Sequence, residues 1–549
     1  MSGVRGAFAT LTHDEQTERD TYKNPKAVVE LRTKEMAIWS ISGDYQDLKF
    51  TDKKSAAGGL TMLLPCDDHY GDYLDGQPKA TVRPIVVRLP GYTTLWFITK
   101  FTRTRKGLKR YYEVEAIGAL EHLAWIRLWP CPWSVAEFQP IKYWFGLGPS
   151  ASMCALALTA NLVRLQGELF SIPTGNLFSP SAWNVVKKAL HPIIVNPRNK
   201  FLGDTSKWDS ASWRMDEALT AFTEVCQAND LQIVYQFFDP DVDPQPFPEF
   251  IHLDRPKLII DFVEKGQPVG WTGTAIDGFF RTGIQMGTDF LGWVLYPILG
   301  DDGYQKYLDQ VEGTIANKPI AVYTTGKYTP ADEYEQTTHT AMASRVTAGG
   351  KSPEWVNTLL VTGANMLLSG IGAAVGAALV AATGGAAAPI LPFLTNLELG
   401  AFEGVVKDTV MAFHTSEDIQ RANEAGPWRF RETFAESSST GLSMETLSGM
   451  KSAHWATRPY ISHAISVQNG SPYYIGKDLQ LGDLVGVQMA NGKVEVEYLE
   501  EITYEDSRSV RGKLTLQIGR PDAEREPGSI ALGKIRRFGT WLTRAALSE

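Results

Sequence analysis

The sequence predicts a multidomain α+β protein with a β module at each end, a mixed helical middle and a long apolar helical segment ahead of the second β module. Three observations lead there. β-Branched and aromatic runs separated by turn residues fill the first part of the chain, and similar runs flank an Asn-Gly pair near its end. Between them, from Trp355 to Leu397, lie 43 residues without a charged side chain. A chain of 549 residues is too long for one hydrophobic core, and about three or four domains are expected. The expected boundaries are 1–135 (β), 136–350 (mixed), 351–400 (apolar, rich in Gly and Ala) and 401–549 (β).

The N-terminal module rests on "AVVELRT" (Ala27–Thr33), then "RPIVVRL", "LWFITKFT" and "RYYEVEAIG" in close succession. Pro90-Gly91 and "RTRKG" supply the turns. The period then changes, and Leu120 to Leu128 fits a short closing helix. In the middle, "PSASMCALALTANLVRLQGEL" reads as a helix opening at Pro149-Ser150. "SWRMDEALTAFTEVCQAND" reads as an amphipathic one, with Met215, Leu219, Phe222, Val225 and Cys226 on one face. "LQIVYQFF" and "PKLIIDFVEKG" return to strand character across a proline-rich loop. The C-terminal module, from about His463, carries "DLVGVQMA" and "KVEVEYLEEITYE" around Asn491-Gly492. Both of those residues tolerate the positive φ of a tight hairpin turn. "GKLTLQIG" adds a third strand.

The net charge of −9, with basic residues scattered, argues against a dedicated or sequence-specific nucleic-acid surface, which needs clustered positive charge. The one dense basic run, Lys100 to Arg110, falls between two strands and reads as a solvated hairpin tip. Four cysteines without a CxxC pair imply neither a zinc site nor a disulfide framework. No catalytic motif stands out, and no cofactor is expected. Asp239, Asp241 and Asp243 have the spacing that opens a calcium loop. Pro244 replaces the required Gly and Phe250 the closing Glu, so a proline-stiffened loop is expected. Asp67, Asp68, His69, Asp72 and Asp75 read as an acidic surface turn rather than a metal site. The first twenty residues carry both charge signs and no apolar core, so synthesis and assembly in a cytoplasm without a secretory signal are expected.

"WSISGDYQDLKFTDKKSAAGGLTMLLPCDDHYGDYL" (Trp39–Leu74), followed by the hairpin region ending "YEVEAIGALEHLAWIRL", resembles the N-terminal module of siphophage tail-hub minor tail proteins. The resemblance is to those of mycobacteriophages and other actinobacteriophages. "YYIGKDLQLGDLVGVQMANGKVEVEYLEEITY" (Tyr473–Tyr504) is similar to the second β module of the same family. The resemblance covers about the first 130 and last 90 residues, while Pro140 to Ala456 departs from the pattern. It implies β-barrel-like hub modules in a homotrimer, two per chain, forming a pseudo-sixfold ring at the tail tip of the virion. The implied partners are the distal tail protein ring, the C-terminus of the tape-measure protein, and other minor tail proteins or fibres. Some relatives carry a peptidoglycan hydrolase domain. A tail-associated cell-wall hydrolase is therefore the alternative, with a membrane-bound or pore-forming protein as a third.

The apolar run admits three readings: a core helix buried all round, a membrane anchor, or a plug on the trimer axis that reaches the host membrane on infection. Leu359 to Ala382 as one helix would span about 36 Å, enough for a hydrocarbon core of ~30 Å. Gly372, Ala373, Gly376 and Ala377 form a small-residue face through which helices can approach closely. If that face packs on an axis, Gly376→Arg abolishes particle assembly or DNA delivery. Normal infection by the mutant phage rules the packing out.

Overall fold

The computed structural model describes residues 16–17, 20–106, 109–167, 191–197, 203–265, 282, 319–324, 331–351, 413–440, 450, 453–454, 456–470, 472–488, 494–519, 534 and 537–544. Seven strands open the chain: β1 (Val28–Arg32), β2 (Ile38–Ser42), β3 (Asp47–Lys53), β4 (Ala56–Pro65), β5 (Pro84–Leu89), β6 (Tyr92–Lys106) and β7 (Lys109–Gly118). Helix α1 (Asp68–Leu74) lies between β4 and β5. The middle region follows with α2 (Glu121–Ala124), β8 (Arg127–Leu128), β9 (Trp144–Pro149), α3 (Ser150–Gln166), β10 (Ile193–Val195), β11 (Trp208–Trp213), β12 (Asp216–Glu217), α4 (Ala218–Ala228), β13 (Leu231–Phe238) and β14 (Lys257–Glu264). Next come β15 (Ala321–Tyr323), β16 (Ala331–His339), β17 (Ala343–Lys351), β18 (Phe413–Glu417), α5 (Ile419–Ala425) and β19 (Phe430–Thr440). The chain closes its strands with β20 (Tyr460–Gln468), β21 (Leu484–Gln488), β22 (Val494–Ser507) and β23 (Lys513–Ile518).

The strands expected at the two ends are present, and they meet in one sheet of 13 strands. Its order is β2-β1-β5-β6-β7-β4-β3-β22-β23-β20-β16, with β21 on β22 and β15 on β21. The join is the antiparallel pair β3/β22, in register from Asp47↔Ser507 to Lys53↔Glu501. Alternation explains which face turns inward. β3 buries Leu48 and Phe50, β7 buries Tyr112 and Val114, and β23 buries Leu514, Leu516 and Ile518. These side chains from both ends form a single core. Val86 and Leu95, on the other face of β5 and β6, belong to a second core with α3, α4, β13 and β14. The sheet is thus packed on both faces at β5 and β6.

Two helical expectations are corrected. Leu120 to Leu128 is not one helix: α2 ends at Ala124, and Arg127 and Leu128 pair with Glu217 and Asp216 as β8/β12. The Ile126 carbonyl accepts the N–H of Ala218 and the Leu128 carbonyl that of Met215, so this backbone serves the neighbouring chain instead of a helix. The second amphipathic helix starts at Ala218 and not at Ser212. Trp208–Trp213 pairs with β9, Trp213 stacks on Trp144 at 5.1 Å, and Met215 turns the chain with φ 61°. Residues 168–190 and the apolar run 355–397 lie outside the described residues.

The N-terminal and C-terminal parts also touch through two glycine turns. Gly91 (φ 69°) ends the β5–β6 turn, and Gly476 (φ 85°) lies in the loop before β21. A Cβ built on Gly476 would sit 2.3 Å from the Pro90 carbonyl oxygen, and one on Gly91 would sit 2.3 Å from that of Gly476. Gly476→Ala therefore forces backbone apart and strains a left-handed residue. It should cost at least ~1–3 kcal/mol in chemical denaturation, with the loss in the midpoint.

Candidate functional site

The residues that organise the molecule lie where three parts of the chain converge: the β3/β22 seam, and the contact of the N-terminal strands with β13. At the seam, Phe50 of β3 stacks on Tyr504 of β22, with ring centroids 5.3 Å apart, and also meets Trp96. The Tyr504 hydroxyl donates to the Pro25 carbonyl at 3.0 Å and accepts the Ala27 N–H at 3.1 Å. This ties the segment leading into β1 to a strand almost 480 residues away. On the outer face Thr51 and Thr503 share a hydroxyl contact at 3.0 Å, and Lys54 pairs with Glu500 at 2.5 Å.

Below the seam, Asp52 points into the protein and is buried. It accepts hydroxyl hydrogen bonds from Tyr92 at 2.6 Å and Tyr235 of β13 at 3.2 Å, and the Lys53 N–H at 3.1 Å. Burial is the largest influence and pushes its carboxyl up to about 6, against the downward pull of those hydrogen bonds. Burial and the neighbouring Asp52 charge also push both tyrosine hydroxyls well above their usual range.

A second polar group clamps β1 and β5 to the end of β13. Arg32 is buried and contacts Glu30, Asp239 at 2.6 Å and the Met36 carbonyl at 2.8 Å. Arg88 reaches Glu30 at 3.0 Å and Asp243 at 3.2 Å. Both guanidiniums lie over the Phe237 ring. Every carboxylate here faces a cation, which is what burial of charge requires. Ser55 accepts the Ile233 N–H, while Gln232 donates to the Gly482 carbonyl and Lys265 pairs with Asp483. The middle region is thus bonded to both ends of the chain. This arrangement holds strands in register; the groups that could do acid–base chemistry are engaged with one another.

The sequence-selected residues fall out differently. Asp239 and Asp243 are not merely part of a stiff loop: they are counter-charges in the buried cluster, and Asp239 also accepts the Asp241 N–H at 3.1 Å. The Asp67–Asp75 stretch is α1 instead of a turn. Asp67 caps it by accepting the Tyr70 N–H, and Asp75 accepts from Arg103 and Tyr112. Among the described residues no three His, Cys, Asp or Glu side chains form a metal-holding group. The basic run forms the expected hairpin end, β6 pairing with β7 out to Lys106↔Lys109. β21 and β22 pair antiparallel around residues 489–493, but Asn491 and Gly492 themselves lie outside the described residues. So do Gly372, Ala373, Gly376 and Ala377. Among the described residues no helix is long and apolar enough to cross a membrane. Sequence reasoning missed Glu30, Arg32, Arg88 and Asp52; two charges two residues apart inside an apolar strand, "VVELR", were the available signal.

One surface feature stands out. β2 pairs only with β1 among the described residues, and its sequence, IWSIS, exposes Ile38, Trp39 and Ile41, the last at 61%.

A family model, "Siphovirus ReqiPepy6 Gp37-like protein", matches residues 28–520. The minor tail protein Gp28 of Mycobacterium phage L5 is 22% identical over 572 aligned positions, covering 94% of this chain and 93% of that protein. Gp28 of Mycobacterium phage D29 is 23% identical and covers 80% of each chain. Among solved structures, the tail protein from Neisseria meningitidis MC58 aligns over 91% of this chain and 98% of its own. It does so at 10% identity and a TM-score of 0.36, too low for a fold to be inferred from it.

The raised Asp52 carboxyl gives a signed pH dependence. The folded state holds this proton up to about pH 6 and the unfolded chain only to about 4, so stability falls as pH rises through that window. Asp52→Asn removes that fall, which amounts to up to ~3 kcal/mol. Urea denaturation of both proteins from pH 4 to 7.5 checks it: parallel curves would show that Asp52 does not titrate there.

Proposed function

We propose, for a chain that belongs to the Siphovirus ReqiPepy6 Gp37-like family and is a phage minor tail protein, the role of a trimeric hub at the tail tip. The observation that carries this reading is the β2 edge, which among the described residues pairs only with β1 and has nothing on its other side. An edge strand with no charge, proline or covering element is an aggregation hazard in a free monomer. The hazard disappears where a neighbouring subunit covers the edge in a closed ring. The continuous 13-strand sheet supports the same reading, because each chain would bring one rigid arc, built from both its ends, to the ring.

In this assembly the segments 1–135 and 401–549 build the collar, and 136–350 forms the body below it. The distal tail protein ring sits above and other minor tail proteins or fibres attach around it. The run 351–400, with Gly372, Ala373, Gly376 and Ala377, closes the lumen on the axis beneath the tape-measure C-terminus and meets the host membrane when the particle opens. The function is structural: linking the distal ring to the tip and passing the genome through the envelope.

Light scattering of the purified full chain should give the mass of a trimer. Ile41→Lys should leave the thermal transition in place and shift the mass to that of a monomer, since a charge on the covered edge must be desolvated. A wild-type chain that is folded, monomeric at high concentration and absent from particles overturns the proposal.

A further inference from the structure

The small sheet of β18, β17 and β19 has its own core and two unlike faces. Val346, Ala348 and Ala435 turn inward and meet Met450. Register sets the opposite face: Arg345 of β17 stands across from Glu417 of β18 and Glu432 of β19, and Thr347 across from Thr415. Arg345 pairs with Glu417 at 2.8 Å. The Thr347 hydroxyl contacts that of Thr415 at 3.0 Å and donates to the Glu432 carboxylate. All five side chains reach solvent. Two aromatic rings border this polar row where β19 begins. Phe430 is 65% exposed, and Trp428, in the turn just before it, is 97% exposed. Between them Arg429 is tied down, donating to the Ser344 hydroxyl at 3.1 Å, the Gly426 carbonyl at 3.3 Å and the Glu417 carboxylate at 3.4 Å. The turn that carries Trp428 is therefore fixed while its ring is left in water. Cross-strand pairing accounts for the polar row as sheet stabilisation. It does not account for a tryptophan that adds almost no buried area to the fold.

We propose that this face binds a neutral polysaccharide. A sugar ring has an apolar C–H side that packs on an aromatic ring, and a rim of hydroxyls that both donate and accept. Trp428 and Phe430 supply the rings. Glu417 and Glu432 accept from hydroxyls, Arg345 donates to them, and Thr347 and Thr415 can do either. The charges select this ligand over others. Glu417 and Glu432 stand among Arg345, Arg429 and the exposed Arg431, so the face is close to balanced. A nucleic acid or an anionic lipid surface calls for a clear cationic excess. An apolar protein surface laid here would have to strip water from the ion row, which is costly. An uncharged chain rich in hydroxyls meets the balanced row and the aromatic border together.

The geometry also sets the character of the binding. A sheet face encloses less of its ligand than a pocket does, so each site binds weakly. The turn pinned by Arg429 lowers the cost of ordering Trp428 when the sugar arrives. Because the ligand carries no charge, no counterions are released and the affinity is nearly independent of salt. None of this depends on how many copies of the chain assemble.

Native affinity electrophoresis of the full chain tests this, in gels holding dissolved dextran, galactomannan, arabinogalactan or heparin, with a plain gel as reference. The expected result is retardation by a neutral polysaccharide that added salt does not relieve and that free oligosaccharide of the same kind competes away. Trp428→Ala should weaken it about tenfold or more. The unfolding temperature of that variant should match the wild type, since the ring is outside the core. Trp125→Ala removes another tryptophan, 81% exposed and remote from this sheet in sequence, and should leave retardation unchanged. Passage through all three neutral gels at the reference rate overturns the proposal. So does retardation by heparin alone that salt abolishes, which would mark a polyanion site. Equal loss in the Trp125 and Trp428 variants, or a Trp428→Ala chain that keeps full retardation but changes its mass in light scattering, overturns it in favour of a contact between proteins. The mass of the wild-type chain is measured separately, so failure here leaves the trimeric reading where it stood.

Discussion

The structure depends on one ladder of hydrogen bonds, the antiparallel pairing of Asp47–Lys53 with Glu501–Ser507. Through it the first seven strands and the last ones become a single surface with a single core. Thermodynamically the long separation is tolerable, because the entropy of closing a loop grows only with the logarithm of its length, about 0.6 kcal/mol per doubling. The Phe50–Tyr504 stack, the buried tyrosine hydroxyl at Pro25 and Ala27, and the interlocked Gly91 and Gly476 turns all follow from that register. A shift by one residue would turn Phe50 and Tyr504 to the opposite face.

The middle region is a long excursion between two halves of one sheet, and its attachment is polar where the sheet's own core is not. Arg32 and Arg88 answer Glu30, Asp239 and Asp243, and Asp52 is held by two tyrosines. Such contacts add little net stability over an apolar contact of the same size, but they are costly to mismatch. Their effect is to define one orientation of the middle region against the strands of the large sheet. The helical residues 537–544 add to this: Arg537 pairs with Asp209 at 2.8 Å and Arg544 donates to the Ser212 carbonyl at 2.8 Å. The last turn of the described chain therefore grips β11.

Much of this was legible in the sequence wherever the determinant is local. Val28–Arg32, Pro84–Leu89 and Lys513–Ile518 are strands because β-branched and aliphatic residues crowd them, and the α3 segment is a helix because it lacks breakers. The family resemblance was carried by the same strand-and-turn patterns. What was not legible is set by distance. No local pattern says that β22 lies beside β3, or that Asp239 answers an arginine more than 200 residues earlier. Alternation in "VVELR" would place Glu30 and Arg32 in water, and only the middle region laid over β1 and β5 makes them interior. Met215 was assigned to a helix face because its spacing fits, but the pairing of Trp208–Trp213 with β9 takes the chain away before the helix starts.

The β3/β22 register also sets a clock. The ribosome delivers β3 first and must make about 450 further residues before β22 emerges, on the order of 20–90 s at ordinary elongation rates. Throughout that time the β3 edge has no native neighbour, and the growing N-terminal half is an unfinished surface in a crowded cell. The core shared by the two ends of the sheet therefore closes only late in synthesis.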